Sequence, residues 1–180
     1  MNKITVLILL SLALVGCNDS DDELSPKDKI AGLEVTGELP TLDRSDDIAG
    51  PDINNNGIRD DIEKYIEITY QEPKQRTAAM QMAKALQMNM VIDVTNKDRN
   101  KVKADIRKMD VAVGEALNCL NDQFSGPDAK NTSIVWSEIE SMMTNTKKRL
   151  LAYLSVSKAA SGMVFSLQDG SCNKREYATY

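Results

Sequence analysis

Between Asp52 and Glu63, oxygen-bearing side chains recur at a spacing that suits a hard divalent cation. Counting Asp52 as position 1, the residues Asp52, Asn54, Asn56, Asp60 and Glu63 occupy positions 1, 3, 5, 9 and 12, and Gly57 occupies position 6. Calcium takes six to eight oxygen ligands, so a chain that holds it must curl around it. Glycine permits the sharp turn, and Ile58 at position 7 contributes a backbone carbonyl. Glu63, already on the first turn of a helix, reaches back with both carboxylate oxygens. Asp52, Asp60 and Glu63 carry the charge, whereas Asn54 and Asn56 add neutral oxygens. That modest charge lowers affinity and suits a calcium-rich exterior better than a cytosolic sensor. The same residues also permit a metal-free account. Asn55-Asn56-Gly57 is a turn in its own right, and Asp60 with Glu63 makes an N-cap pair for the following helix.

The pattern resembles the calcium loop of EF-hand proteins, with two departures. Gly50-Pro51 directly precedes it, which leaves no entering helix, and the apolar residue falls at position 7 rather than 8. A loop followed by a helix is similar to the calcium repeats of thrombospondin type 3 and related bacterial surface proteins. The stretch Ile48–Ile66 also resembles a segment of small lipoproteins from Gram-negative bacteria. These resemblances imply a calcium loop and no activity.

Other residues carry weaker chemistry. Ser155-Val156-Ser157-Lys158 matches the Ser-x-x-Lys of penicillin-binding enzymes, but the partner motifs Ser-Asp-Asn and Lys-Thr-Gly are missing. Met80 with Met82, and Met88 with Met90, invite copper(I) coordination by soft thioethers. On a helix, residues two apart point about 200° from each other, so core packing is the better account. Histidine is absent. This removes Ser-His-Asp and Cys-His nucleophile systems and leaves zinc without its commonest nitrogen ligand.

The N-terminus speaks for export. One positive charge, Lys3, precedes an apolar or small-residue run from Ile4 to Gly16, too short to span a bilayer as a helix. Leu14-Val15-Gly16-Cys17 resembles the lipobox of bacterial lipoproteins, in which the cysteine is acylated after cleavage before it. The resemblance implies a signal peptide over 1–16 and a lipid anchor at Cys17. Asn18 is not the aspartate associated with inner-membrane retention, which favours the outer membrane. From residue 17 to 47 the chain is acidic, polar and without sustained period, and reads as a flexible tether. As a coil it has a reach of roughly 30 Å.

Cys119 and Cys172 then remain as an even pair in an oxidising compartment, and a disulfide is the economical reading against two buried thiols. The formal charge of −5 becomes −6 on loss of Lys3, and aromatic residues make up only 4% of the chain. Both argue against a nucleic-acid partner.

The elements that position these residues are helical. Ile62, Tyr65, Ile66 and Thr69 line a first helix that Pro73 ends or kinks. Lys74 to Val94 is rich in good helix formers, with Ala79, Met82, Ala83, Leu86 and Met90 on one face. Val102, Ile106, Met109, Val113, Ala116, Leu117, Leu120 and Phe124 mark a third helix. Thr95 and Asp98 resemble a capping box at its start, and Ser125-Gly126-Pro127 stops it. A fourth places Val135, Ile139, Met142, Met143, Thr146, Leu150 and Leu154 on one face and fades near Ser161-Gly162. Beyond it lie a turn at Asp169-Gly170 and, over Met163–Leu167, the one stretch with strand character.

The sequence therefore predicts an all-α protein: a flexible acidic tether over 17–47, then a domain over 48–180 in which the calcium-type loop leads into a small antiparallel helical bundle. The expected function is that of a non-enzymatic, calcium-binding envelope lipoprotein that binds another protein. Two alternatives stand beside it: an immunity or inhibitor lipoprotein against a periplasmic toxin or hydrolase, and an enzyme working through carboxylates alone.

Overall fold

The computed structural model describes residues 24–125, 131–165 and Cys172. The expected export signal, Cys17, and most of the stretch after Phe165, with the turn expected at Asp169-Gly170, lie outside the described residues. Among these residues six helices appear in order: α1 (Pro26–Thr36), α2 (Asp60–Thr69), α3 (Pro73–Met90), α4 (Arg99–Gln123), α5 (Thr132–Met143) and α6 (Lys147–Ala159). They form an antiparallel all-α bundle with no strand among the described residues, as the periodicity indicates. None of these helices is long and apolar enough to cross a membrane.

α3 is the central helix, packed by α2, α4, α5 and α6. It is surrounded, so almost its whole circumference is buried, including Gln81, Gln87 and Asn89. Ala78, Ala79, Ala83 and Ala85 let neighbouring backbones approach, and Met80, Met82 and Met90 fill the gaps between them. Pro73 stands in the first turn of α3, where its missing N–H has no intrahelical partner to lose. From α2 come Ile62 and Ile66, from α4 Ala116 and Leu120, and from α5 Val135 and Ile139, all buried in the same cluster. Each Ile, Leu or Val among them contributes about 1.5–3 kcal/mol by burial. Cys119 on α4 is bridged to Cys172, which ties a residue beyond the last helix back to the core.

Three expectations need correction. The fourth expected helix is two helices, broken at Thr144-Asn145-Thr146. Thr146 caps α6 by accepting from the Arg149 amide at 3.2 Å, and the break turns α6 so that Arg149 is buried while Leu150 and Leu154 are exposed. The capping box at α4 is not formed. Asp98 is itself the cap, accepting from the amides of Asn100 and Lys101, and Thr95 bonds Asp93 instead.

The third correction concerns the stretch expected to be a tether. α1 falls inside it, started by Ser25 and Pro26 and closed by Gly37 at φ 78°. None of its residues is buried. Glu34 is joined to Arg44 at 2.6 Å, and residues 43–49 are docked on the bundle. Arg149 does most of that docking. Its five N–H groups are all used, on the carbonyls of Asp43, Asp47 and Ile48, the Asp43 carboxylate and the Asn145 side chain. Further contacts come from Asn145 to the Asp43 carbonyl, Lys148 to the Asp46 carbonyl and Gln87 to the Ala49 carbonyl. The domain therefore begins before Ile48, with this clasped strap.

Candidate metal centre

The loop 52–63 is wound by its own side chains. Asp52 accepts the Asn56 amide on Oδ1 at 3.0 Å and the Gly57 amide on Oδ2 at 2.9 Å. Asn54 Oδ1 accepts the Asn56 amide at 3.1 Å, and Asn56 Oδ1 accepts the Ile58 amide at 2.9 Å. Asx turns of this kind are the local preference of Asn and Asp. Two residues take positive φ, Asn55 at 56° and Gly57 at 84°. Gly57 also faces α3, where an added Cβ would lie 3.4 Å from Lys84 Cε. Ile58 buries its side chain completely in the core and so fixes the loop to the bundle.

The two carboxylates at the helix start do not cap it. Arg59 is the N-cap of α2 and makes no side-chain cap bond, so the metal-free N-cap pair is not formed. Asp60 reaches back to accept the Ile53 amide at 3.0 Å. Glu63 reaches back further, with Oε2 accepting Asn54 Nδ2 at 3.0 Å and Oε1 accepting Asn56 Nδ2. Burial pushes the Glu63 carboxyl above its ordinary value, opposed by the two Asn amides and reinforced by the charges of Glu67 and Asp60.

The donor chemistry fits a hard cation in two respects: every polar side chain at positions 1, 3, 5, 9 and 12 is an oxygen carrier, and Glu63 folds over positions 3 and 5. Each Asn carbonyl oxygen keeps a second lone pair beyond the one used in its turn. A cation in the loop would take over the Glu63 oxygens now occupied by two amide N–H groups. Among the described residues, no three Asp, Glu or Cys side chains converge as a ready-made metal cage. The structure brings Glu63 to Asn54 and Asn56, whereas Asp52 and Asp60 are closed by backbone amides.

Two buried arginines, Arg59 and Arg149, adjoin the start of the loop, and no periodicity or motif marks them. Arg59, at loop position 8, is 1% exposed. It grips Asp61 with Nε and Nη2 at 2.6 and 2.9 Å and donates to the Met142 carbonyl at 3.0 Å. Asp61 also accepts the Asp43 amide at 2.6 Å, so the Arg59–Asp61 pair joins the loop, the strap and α5. Gly50 sits between Arg59 and Arg149. A Cβ there would fall 2.3 Å from Arg59 Cδ and 3.0 Å from Arg149 Nη2. The Arg59-Asp60-Asp61 run is the only sequence signal for this arrangement.

The α5 acids give no support to carboxylate catalysis. Glu138 accepts from the hydroxyls of Tyr65 and Tyr70 at 3.1 and 3.4 Å, and Glu140 from Trp136 Nε1 at 3.2 Å and from Tyr153. Two residues apart on one helix, they face different ways. The half-burial of Tyr153 beside Glu140 pushes its phenol well above the ordinary range. Compared with known protein families, characterised proteins and solved structures, the chain matches none.

Proposed function

We propose that this chain is a lipid-anchored envelope protein whose loop 52–63 binds calcium and whose helical domain acts by binding another protein rather than by catalysis. The observation that carries the calcium reading is Glu63 folded back over Asn54 and Asn56. A helix-borne carboxylate here leaves its own helix end to close a loop of oxygen carriers. Asp52, Asn54, Asn56, Asp60 and Glu63 would hold the ion by their side chains and Ile58 by its carbonyl. Calcium would supply charge to a loop in which Asp60 and Glu67 crowd Glu63. The anchor reading rests on the lipobox at Cys17 and an outer-membrane site on Asn18. The absence of histidine supports binding over catalysis.

Calcium must raise stability by mass action if the folded chain binds it and the unfolded chain does not. At a hundred times the dissociation constant the gain is about 2.7 kcal/mol. Thermal melts in millimolar calcium and in chelator test this. A Tm that rises with calcium and barely with magnesium supports the reading, because magnesium demands a tighter octahedral shell. Superimposable melts would overturn it.

A further inference from the structure

The helix α6 turns its largest aliphatic residues outward. Its fully buried side chains are Arg149 and Val156. On a wheel of 100° per residue, Lys147, Leu150, Leu151, Leu154 and Lys158 share an arc of about 100° on the opposite side. The three leucines of that stripe are 43%, 55% and 50% exposed. A helix that served only the core would bury them.

We propose that this stripe is a docking surface for an anionic lipid bilayer. The helix would lie flat, with Leu150, Leu151 and Leu154 at the acyl boundary and Lys147 and Lys158 extended to headgroup phosphates. Three observations favour lipid over other occupants.

The first is charge. The chain as a whole is acidic, yet α6 contains no acidic residue and its stripe ends in a lysine on each side. Eleven residues of helix separate these lysines by about 16 Å, and their stems can snorkel outward while the leucines bury. Lys148, a quarter-turn away, is spent on the Asp46 carbonyl.

The second is area. Three half-exposed leucines supply only a fraction of the roughly 800 Å² that each partner of a stable complex buries. A second copy paired antiparallel would also set Lys147 against Lys158, like charge against like. Amphipathic helices on membranes work with such small stripes, because lipid adapts to them and anionic headgroups add to the attraction.

The third is the length of chain before α1. Cys17 lies eight residues before Ser25, a span of at most about 28 Å fully extended. α1 is joined to Arg44, and the strap it leads into is clasped by Arg149 in the first turn of α6. An anchor at Cys17 would keep α6 close to the bilayer. This argument alone rests on the proposed lipid anchor; the other two do not.

The test uses the chain from residue 17 onward with Cys17→Ser, which keeps every described residue and cannot be acylated. The probes are vesicles of phosphatidylglycerol with phosphatidylethanolamine, and vesicles of phosphatidylcholine. Co-sedimentation should show at least about ten-fold stronger partitioning into the anionic vesicles. Lys147→Gln and Lys158→Gln should each weaken it about five-fold, and the pair Leu151→Ser with Leu154→Ser should abolish it. These side chains are exposed, so the melts of the variants should match the parent. Equal binding to both vesicles, no binding to the anionic ones, or binding retained by the leucine pair would overturn the proposal. A lipid-free dimer lost in the leucine pair would assign the stripe to a second copy and overturn it as well. Acylation is read separately from the mass of the native N-terminus, so the two ideas fail independently.

Discussion

Glu63 accepts the side-chain amide of Asn56, seven residues before it, and so the first turn of α2 closes the loop that precedes it. The link makes the loop and the helix start one unit. Glu63→Ala and Asp52→Ala should each abolish the calcium-dependent rise in Tm, the first by removing the closing carboxylate and the second by removing the group that winds the turn. Asp105→Asn, on an exposed pair with Lys101, should keep the full rise. Asp61→Ala is a poor control despite lying off the ligand positions, because Asp61 holds Arg59 and the strap.

Arg149→Leu should destabilise the domain by about 3 kcal/mol or more, since it takes the guanidinium from the Asp43 carboxylate, which keeps only Ser45, and strips the Asp47 and Ile48 carbonyls of their donor, leaving the Asp43 carbonyl to Asn145. Urea unfolding would measure it. Limited proteolysis should also cut the variant between residues 37 and 50 far faster than the parent.

Asp43 gives the strap a pH dependence of known sign. Burial alone would raise its carboxyl, but bonds from Arg149 and Ser45 outweigh this and hold it below the ordinary value. A depressed folded-state pKa stabilises the fold above the unfolded value, near 4, and that stability is lost as pH falls through the folded value. Unfolding free energies measured from pH 6 down to 2 should therefore fall steeply below about pH 4. Asp43→Asn should be less stable at neutral pH and show a shallower acid limb.

Two of the positive-φ glycines, Gly57 and Gly50, differ in consequence. Gly57→Ala should cost about 1–2 kcal/mol, because its φ of 84° is unfavourable for an L residue while Lys84 can yield at 3.4 Å. Gly50→Ala should cost more, since its Cβ would collide with Arg59 at 2.3 Å. Equal Tm losses for the two would show that the arginine contact is soft.

Mass spectrometry of membrane-extracted protein should find an acylated N-terminus at Cys17, and Cys17→Ser should release the domain or leave the signal uncut. Soluble, unmodified protein after export would refute the anchor. Reducing the Cys119–Cys172 bridge, which closes a separation of 53 residues, should lower stability by about 4 kcal/mol.

The helical core was legible because its residues answer to a period. Ala79, Met82, Ala83, Leu86 and Met90 recur at steps of three and four, and all are buried. The loop was legible as a spacing of oxygens, and Glu63 and Asn56 do meet. What periodicity could not reveal was the competition between a helix and a buried cation. Leu150 and Leu154 continue the period of α5, but Arg149 needs the strap's carbonyls. Satisfying five guanidinium N–H groups in the interior outweighs burying two leucines. Arg59 was hidden for the same reason: its partners, Asp61 and the Met142 carbonyl, are set by tertiary contact. α1 was missed because it has no buried face, so no apolar stripe announces it.

The clasp on residues 43–48 also has a mechanical meaning. It lies between α1 and the loop, so tension applied from the N-terminal side meets Arg149, Asn145 and Lys148 before it meets Asp52. Bonds from one rigid guanidinium to three successive points on the strap share a load rather than parting one by one. Pulled by its N-terminus in a force spectrometer, the chain should give first at α1, then hold until the clasp ruptures, with Arg149→Leu removing that second event. The strap would thus act as a strain relief, and a domain tugged from its N-terminal side would keep its loop unstretched.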